Sequence, residues 1–190
     1  PDAPYYRRSG GGVTFSGGEP LQQWEFLKEL ATKCKEQYVH TCVETCGFSP
    51  WSNFQEVLEL VDLFLFDLKL IDSAKHRKYT GANNDLILEN FIRTWESGKK
   101  IMARVPLIPE VNDDPEDLSL LAEFLEDFPG LEVELLPYHT LGVSKYAALG
   151  REYPLAGLAA WKSRSLSESA QKLRAKGLLV TAGGLVPKMP

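Results

Sequence analysis

The strongest constraint on this chain is an alternation of two periods. Short runs rich in β-branched and aromatic residues recur at Val13–Ser16, Val39–Glu44, Leu63–Leu68, Ile101–Leu107 and Val133–Leu136. Between them lie stretches with helical apolar spacing. Leu27, Leu30, Ala31 and Cys34 share one predicted helical face, and Phe54, Val57, Leu58 and Val61 share a second. Leu88, Phe91, Ile92 and Trp95 form a third, with Gly98 as its stop; Leu118, Leu121, Ala122 and Leu125 form a fourth. Asp114-Pro115 reads as an N-cap followed by proline in the first helical position. Ser165-Leu-Ser-Glu168 reads as a capping box opening a last helix that ends near Gly177.

Strands joined by helix-length crossovers pair in parallel. Leu63-Phe-Leu-Phe66 is apolar on both faces, as a strand covered on both sides must be. About five such units are too few to close an eight-fold barrel. The expected fold is therefore α/β, an open sheet or a partial (βα) TIM-like barrel. No linker, low-complexity segment or repeat divides residues 1–190, so a single domain is expected.

Composition excludes several classes. A net charge of −5 offers no basic footprint for nucleic acid. The apolar runs, such as Gly177–Val180, fall far short of the roughly 20 residues that span a membrane. The start, Pro1-Asp-Ala-Pro4, has no apolar signal-peptide core. Three cysteines make no disulfide framework, and a reducing cytoplasm is expected.

Polar residues gather where the strands end. The first run closes in Ser16-Gly17-Gly18-Glu19, the second in Glu44-Thr45, and the third in Asp67-Leu68-Lys69. The fourth carries Arg104, and the fifth ends in Tyr138-His139. Parallel α/β folds bind ligands at the carboxyl ends of strands, so these residues predict one mouth suited to a polar, zwitterionic ligand. Alternation puts Asp67 and Lys69 on one face, where a plain ion pair is the competing reading. Gly17 and Gly18 let a backbone approach a ligand closely, and Glu19 can accept from an ammonium group. The spacing fits neither a dinucleotide fingerprint nor a P-loop.

Four motifs carry a family resemblance: Gly10-Gly-Gly-Val-Thr-Phe-Ser-Gly-Gly-Glu-Pro20, Glu44-Thr-Cys-Gly47, Phe66-Asp-Leu-Lys69 and Leu135-Leu-Pro-Tyr-His139. In this order they resemble the radical S-adenosylmethionine (SAM) activases of glycyl radical enzymes, the pyruvate formate-lyase-activating type among them. Arg77-Lys-Tyr-Thr-Gly81 and the stretch from Arg104 to Asp113 lean toward relatives that activate other glycyl radical enzymes. The resemblance covers essentially the whole chain. It implies a partial barrel of the radical SAM type, and it implies that Ser16, Gly17, Gly18 and Glu19 receive the methionine amino group of SAM. Asp67, Leu68, Lys69, Arg104 and His139 match further SAM contacts. Glu44, Thr45 and Asp67 match a monovalent-cation site, with Glu44 standing where the family pattern has Asp. No residue of the chain is assigned as catalytic.

The same resemblance implies the chemistry. A four-iron–four-sulfur cluster reduces SAM to a 5′-deoxyadenosyl radical, which takes hydrogen from a glycine of a partner. The partner would be a glycyl radical enzyme such as pyruvate formate-lyase or a relative, and the electron would come from a donor such as flavodoxin. The family holds its cluster with Cys-x3-Cys-x2-Cys upstream of the glycine motif. Only nine residues precede Gly10 here, none of them Cys. The chain is therefore expected to be an N-terminally truncated piece of a longer protein, lacking the first βα unit and inactive without its cluster. Cys42-Val-Glu-Thr-Cys46 has the first interval, but Ser49 follows, so Cys34, Cys42 and Cys46 are read as inert thiols. His76 lies in a charged run and is expected on a solvated surface. A non-catalytic partner-binding module on the same barrel is the alternative. An ordinary barrel enzyme using Lys69 as an amine would leave Ser16–Glu19 without a task.

Overall fold

The computed structural model describes residues 6, 8, 11–139, 143–153, 155, 158 and 163–183. Six strands alternate with helices: β1 (Gly12–Phe15), α1 (Trp24–Glu36), β2 (His40–Thr45), α2 (Trp51–Val57), β3 (Leu63–Asp67), α3 (Ser73–Thr80) and α4 (Asp85–Glu96). There follow β4 (Lys100–Leu107), α5 (Pro115–Leu125), β5 (Glu132–Pro137), α6 (Val143–Ala148), α7 (Ser163–Ala175) and β6 (Leu179–Ala182). The strands form one sheet in chain order, as the α/β reading requires. Two compact units make up the chain: Pro1–Leu68 with Ser73–Arg104, and Lys69–Asp72 with Val105–Pro190.

In the first unit β1, β2, β3 and the start of β4 run parallel, with Thr14 beside Cys42, Glu44 beside Leu65, and Asp67 beside Arg104. Each crossover contains a helix, as parallel pairing demands. Phe64 and Phe66 on β3 are fully buried. Phe54 of α2 stacks near both, at 6.2 and 6.1 Å, and Phe91 of α4 meets Phe66 edge-on at 5.2 Å. Burying each such ring contributes on the order of 2–3 kcal/mol. α1 buries Leu27 and Ala31, on the expected face.

Two expectations fail in this unit. The buried face of α4 is Ile87, Asn90, Phe91 and Thr94, while Ile92 is exposed. Relative to the apolar pattern the face is turned by about one residue, because two polar side chains are used inside. His76 is buried rather than solvated. Its Nδ1 donates to the Ala82 carbonyl at 2.7 Å, tying α3 to the turn that leads into α4.

In the second unit α5 buries Leu118, Leu121, Ala122 and Leu125, and Asp114 caps it through the Asp117 N–H at 2.9 Å. α7 starts at Ser163, two residues before the capping box was expected to open it; the side chain of Ser165 lies outside the described residues. β6 pairs parallel with β5 and is the strand the apolar pattern did not separate from the tail of the last helix. Arg174 of α7 holds it, donating from Nε and Nη2 to the Val180 carbonyl at 3.0 and 2.7 Å. Asn112, buried, donates to the carbonyls of Lys69 and Pro106 at 2.7 and 2.8 Å and accepts from the Ile108 N–H at 2.7 Å. This one side chain ties the start of Lys69–Asp72 to the end of β4.

Candidate functional site

In the first unit Ser16, Glu44, Asp67 and Arg104 meet, at the carboxyl ends of β1, β2 and β3 and beside the middle of β4. Ser16, just past β1, donates to Glu44 Oε2 at 2.8 Å. The other oxygen, Glu44 Oε1, lies 2.7 Å from Arg104 Nη1. Arg104 Nε is 3.9 Å from Asp67 Oδ1, so the guanidinium sits between two carboxylates. The Leu68 N–H donates to the Arg104 carbonyl at 2.9 Å, extending the pairing one residue past Asp67.

Partial burial would raise the Glu44 carboxyl, but the Ser16 hydroxyl and the Arg104 charge outweigh it and hold Glu44 below the ordinary carboxylate value of 4.5. A carboxyl lowered in the folded state contributes stability above its unfolded pKa and loses it as pH falls through the folded value. The stability gap between the native chain and a Glu44→Gln variant is therefore expected to be full near neutrality and to close below about pH 4.5. Urea unfolding of both across that range measures it. A gap that stays constant into acid would contradict the assignment.

Gly17 and Gly18 are exposed, and a Cβ built on either would meet no atom within 4 Å. The turn thus has open space in front of it. Behind it stands Glu19, whose carboxylate is held by four donors. Oε1 accepts from the Leu21 N–H at 3.2 Å and the Thr45 hydroxyl at 2.8 Å. Oε2 accepts from the Cys46 N–H at 2.9 Å and the Cys46 thiol at 3.0 Å. Glu19 was expected to meet an ammonium; here it brackets the glycine turn to the exit of β2. Only its position behind two glycines was legible in the sequence, since Thr45 and Cys46 lie 26 and 27 residues away.

Gly47 completes this exit. Its φ is +78°, and a Cβ there would lie 2.4 Å from Phe66 Cε1. Its N–H donates to the Thr45 hydroxyl at 2.9 Å. Of the three residues read as a cation site, Glu44 and Asp67 flank Arg104. Thr45 is buried, with its hydroxyl turned to Glu19. Lys69 and His139 belong to the second unit, Lys69 half-buried and His139 exposed two residues beyond β5. Beside His139, Tyr138 donates to the Tyr153 hydroxyl at 3.1 Å. Burial, with that bond, pushes Tyr153 up to about 12.

The open glycine turn and the Arg held between carboxylates lie where parallel α/β sheets bind their ligands. The Radical SAM superfamily profile matches residues 4–122. The chain is 44% identical over 160 residues to the choline trimethylamine-lyase activating enzyme of Oleidesulfovibrio alaskensis, covering 82% of this chain and 52% of that protein. It is 39% identical over 186 residues to the trans-4-hydroxy-L-proline dehydratase activating enzyme of Clostridioides difficile, covering 96% and 62%. The crystal structure of a domain of pyruvate-formate lyase-activating enzyme from Bacteroides vulgatus superposes with a TM-score of 0.76 at 34% identity, covering 92% of this chain and 99% of that one. The chain belongs to the radical SAM superfamily, in its glycyl-radical-enzyme activating family. It spans about half the length of the curated relatives it matches.

The family uses SAM and a four-iron–four-sulfur cluster. The open turn and the flanking charges of this chain fit SAM. Its cysteines do not fit the cluster. Burial first, with the Glu44 charge, raises the Cys42 thiol to about 11, the wrong direction for a thiolate ligand. Cys46 is engaged by Glu19, and burial raises Cys34. Among the described residues no group of three or more His, Cys, Asp or Glu could hold a metal ion, and no helix is long and apolar enough to cross a membrane.

Proposed function

We propose that this chain is the SAM-binding core of a glycyl-radical-enzyme activase. The observation that carries this is the charge arrangement of the first unit: Arg104 between Glu44 and Asp67, with Ser16 on Glu44 and the open Gly17-Gly18 turn alongside. Carboxylates suit the ammonium of the methionine moiety, and the guanidinium suits its carboxylate. Glu19 serves by shaping the turn, leaving the backbone of Gly17 and Gly18 to face the ligand. Lys69, His139 and Leu68 are assigned to the remainder of SAM on the family resemblance. So is the cation role of Glu44, Thr45 and Asp67.

When bound, SAM supplies the radical-generating chemistry of the family; the chain's residues bind it, orient it and limit water around it. The protein that receives the radical is a glycyl radical enzyme. The activating enzymes matched here serve several different ones, and we assign none of them to this chain. A donor such as flavodoxin would provide the electron. Three free thiols suit a reducing cytoplasm.

Calorimetric titration of the chain with SAM tests the proposal. Saturable binding is expected, weakened about 10-fold or more by Arg104→Met, which removes a charge-assisted contact. Adenosine, which lacks the amino-acid end, is expected to bind at least about 10-fold more weakly than SAM. No binding of SAM, or equal binding of adenosine, would overturn the reading.

A further inference from the structure

Asn90 lies in the middle of α4 and is fully buried, a position where the helix gains nothing from an asparagine. Its side chain serves a different segment. Nδ2 donates to the Gly47 carbonyl at 2.8 Å and to the Ser49 carbonyl at 2.7 Å. Two acceptors on one side fix the amide's orientation, because only its NH2 end can face both. The two carbonyls flank Phe48, so the clamp draws the backbone inward on both sides of a residue that is 43% exposed. Phe48 in turn accepts from Gln22 Nε2 at 2.8 Å.

This loop carries more than itself. Gly47 is bonded to the Thr45 hydroxyl, and both Thr45 and Cys46 are bonded to Glu19. Ser49 donates to the Leu21 carbonyl at 3.3 Å, and Asn53 donates to both Leu21 O and Ser49 Oγ at 3.1 and 3.0 Å. A continuous polar chain therefore runs from Asn90 through the β2 exit to the segment that begins with the glycine turn. α4 itself is anchored through Phe91 on Phe66, and within the helix the Thr94 hydroxyl donates back to the Asn90 carbonyl at 2.7 Å.

We propose that Asn90 is a positioning residue. It touches no ligand, but it sets the conformation of Cys46–Ser49 and, through Glu19, of the Gly17-Gly18 turn. Its consequence for ligand binding rests on the SAM-site reading above; its hold on the loop does not.

The test uses Asn90→Asp, which keeps size and shape but turns a carboxylate toward two carbonyl oxygens. Asn90→Ala serves as the milder second variant. Amide hydrogen exchange is followed at Cys46 and Gly47, whose N–H groups end on Glu19 and Thr45, and at Phe64 and Phe66 in β3. If Asn90 positions the loop, exchange at Cys46 and Gly47 accelerates on the order of 100-fold relative to the β3 amides, as two stranded buried carbonyls imply. Parallel acceleration at all four, or unchanged protection at Cys46 and Gly47, overturns the proposal and leaves Asn90 as general packing. SAM titration of the same variants is expected to show about 10-fold weaker binding. If the unmutated chain fails to bind SAM, the ligand reading falls, while the exchange ratio still decides the role of Asn90.

Discussion

Glu19→Gln is expected to destabilise the first unit by about 3 kcal/mol, although it leaves the size of the side chain almost unchanged. The carboxylate presents two acceptor oxygens to two sets of donors: Leu21 N–H and the Thr45 hydroxyl on one side, Cys46 N–H and the Cys46 thiol on the other. A glutamine has one oxygen and one NH2 group. Whichever way the amide is turned, its donors confront one pair of protein donors, and a backbone N–H loses its acceptor. At about 2–4 °C per kcal/mol for a chain of this size, the melting temperature is expected to fall by about 6–12 °C. Glu25→Gln on the exposed face of α1 serves as the control and is expected to change little. Equal melting of Glu19→Gln and the native chain would mean that the bracket contributes nothing.

Gly47→Ala is the second large effect, and its cause is steric. The residue holds φ at +78°, which an alanine adopts only with strain, and the added methyl would lie 2.4 and 2.7 Å from two carbons of the Phe66 ring. Phe66 cannot retreat, because it is fully buried between Phe54 and Phe91. Backbone strain and overpacking together are expected to cost roughly 3–5 kcal/mol. Gly98 separates the two contributions. Its φ is +74°, but nothing lies within 4 Å of a Cβ there, so Gly98→Ala should show the backbone part alone, about 1 kcal/mol. Urea denaturation of the two alanine variants gives the difference directly. Similar losses at both sites would refute the contact with Phe66.

These two residues mark where the sequence was legible and where it was not. The parallel α/β plan could be read because the strands and the helices α1 and α5 follow strict apolar periods, and burial at Leu27, Ala31, Leu118 and Leu121 follows those periods. The polar strand tips could be read for the same reason, since a Ser, an acid or an Arg at the end of an apolar run stands out. Periodicity cannot register a polar residue that is used inside. Asn90 and Thr94 therefore turned the face of α4, and His76 was hidden in a charged run although its ring closes a turn. β6 was missed because four residues directly after a helical tail have no period of their own. The bracket of Glu19 depends on partners 26 and 27 residues away, which no local spacing reveals. The acid and base of Asp67 and Lys69, read as sharing a strand face, are divided: β3 stops at Asp67, which faces Arg104, and Lys69 belongs to the second unit.

The central claim is that SAM is met by the strand tips of the first unit. Titrating an isotopically labelled sample of the chain with SAM, and following every backbone amide by NMR, tests it most directly. Shifts that saturate together at Ser16, Gly17, Gly18, Thr45 and Leu68 are the result expected. Shifts confined to another surface, such as the groove lined by Leu118, Ala122, Leu173 and Lys176, or no shifts at all, would contradict it.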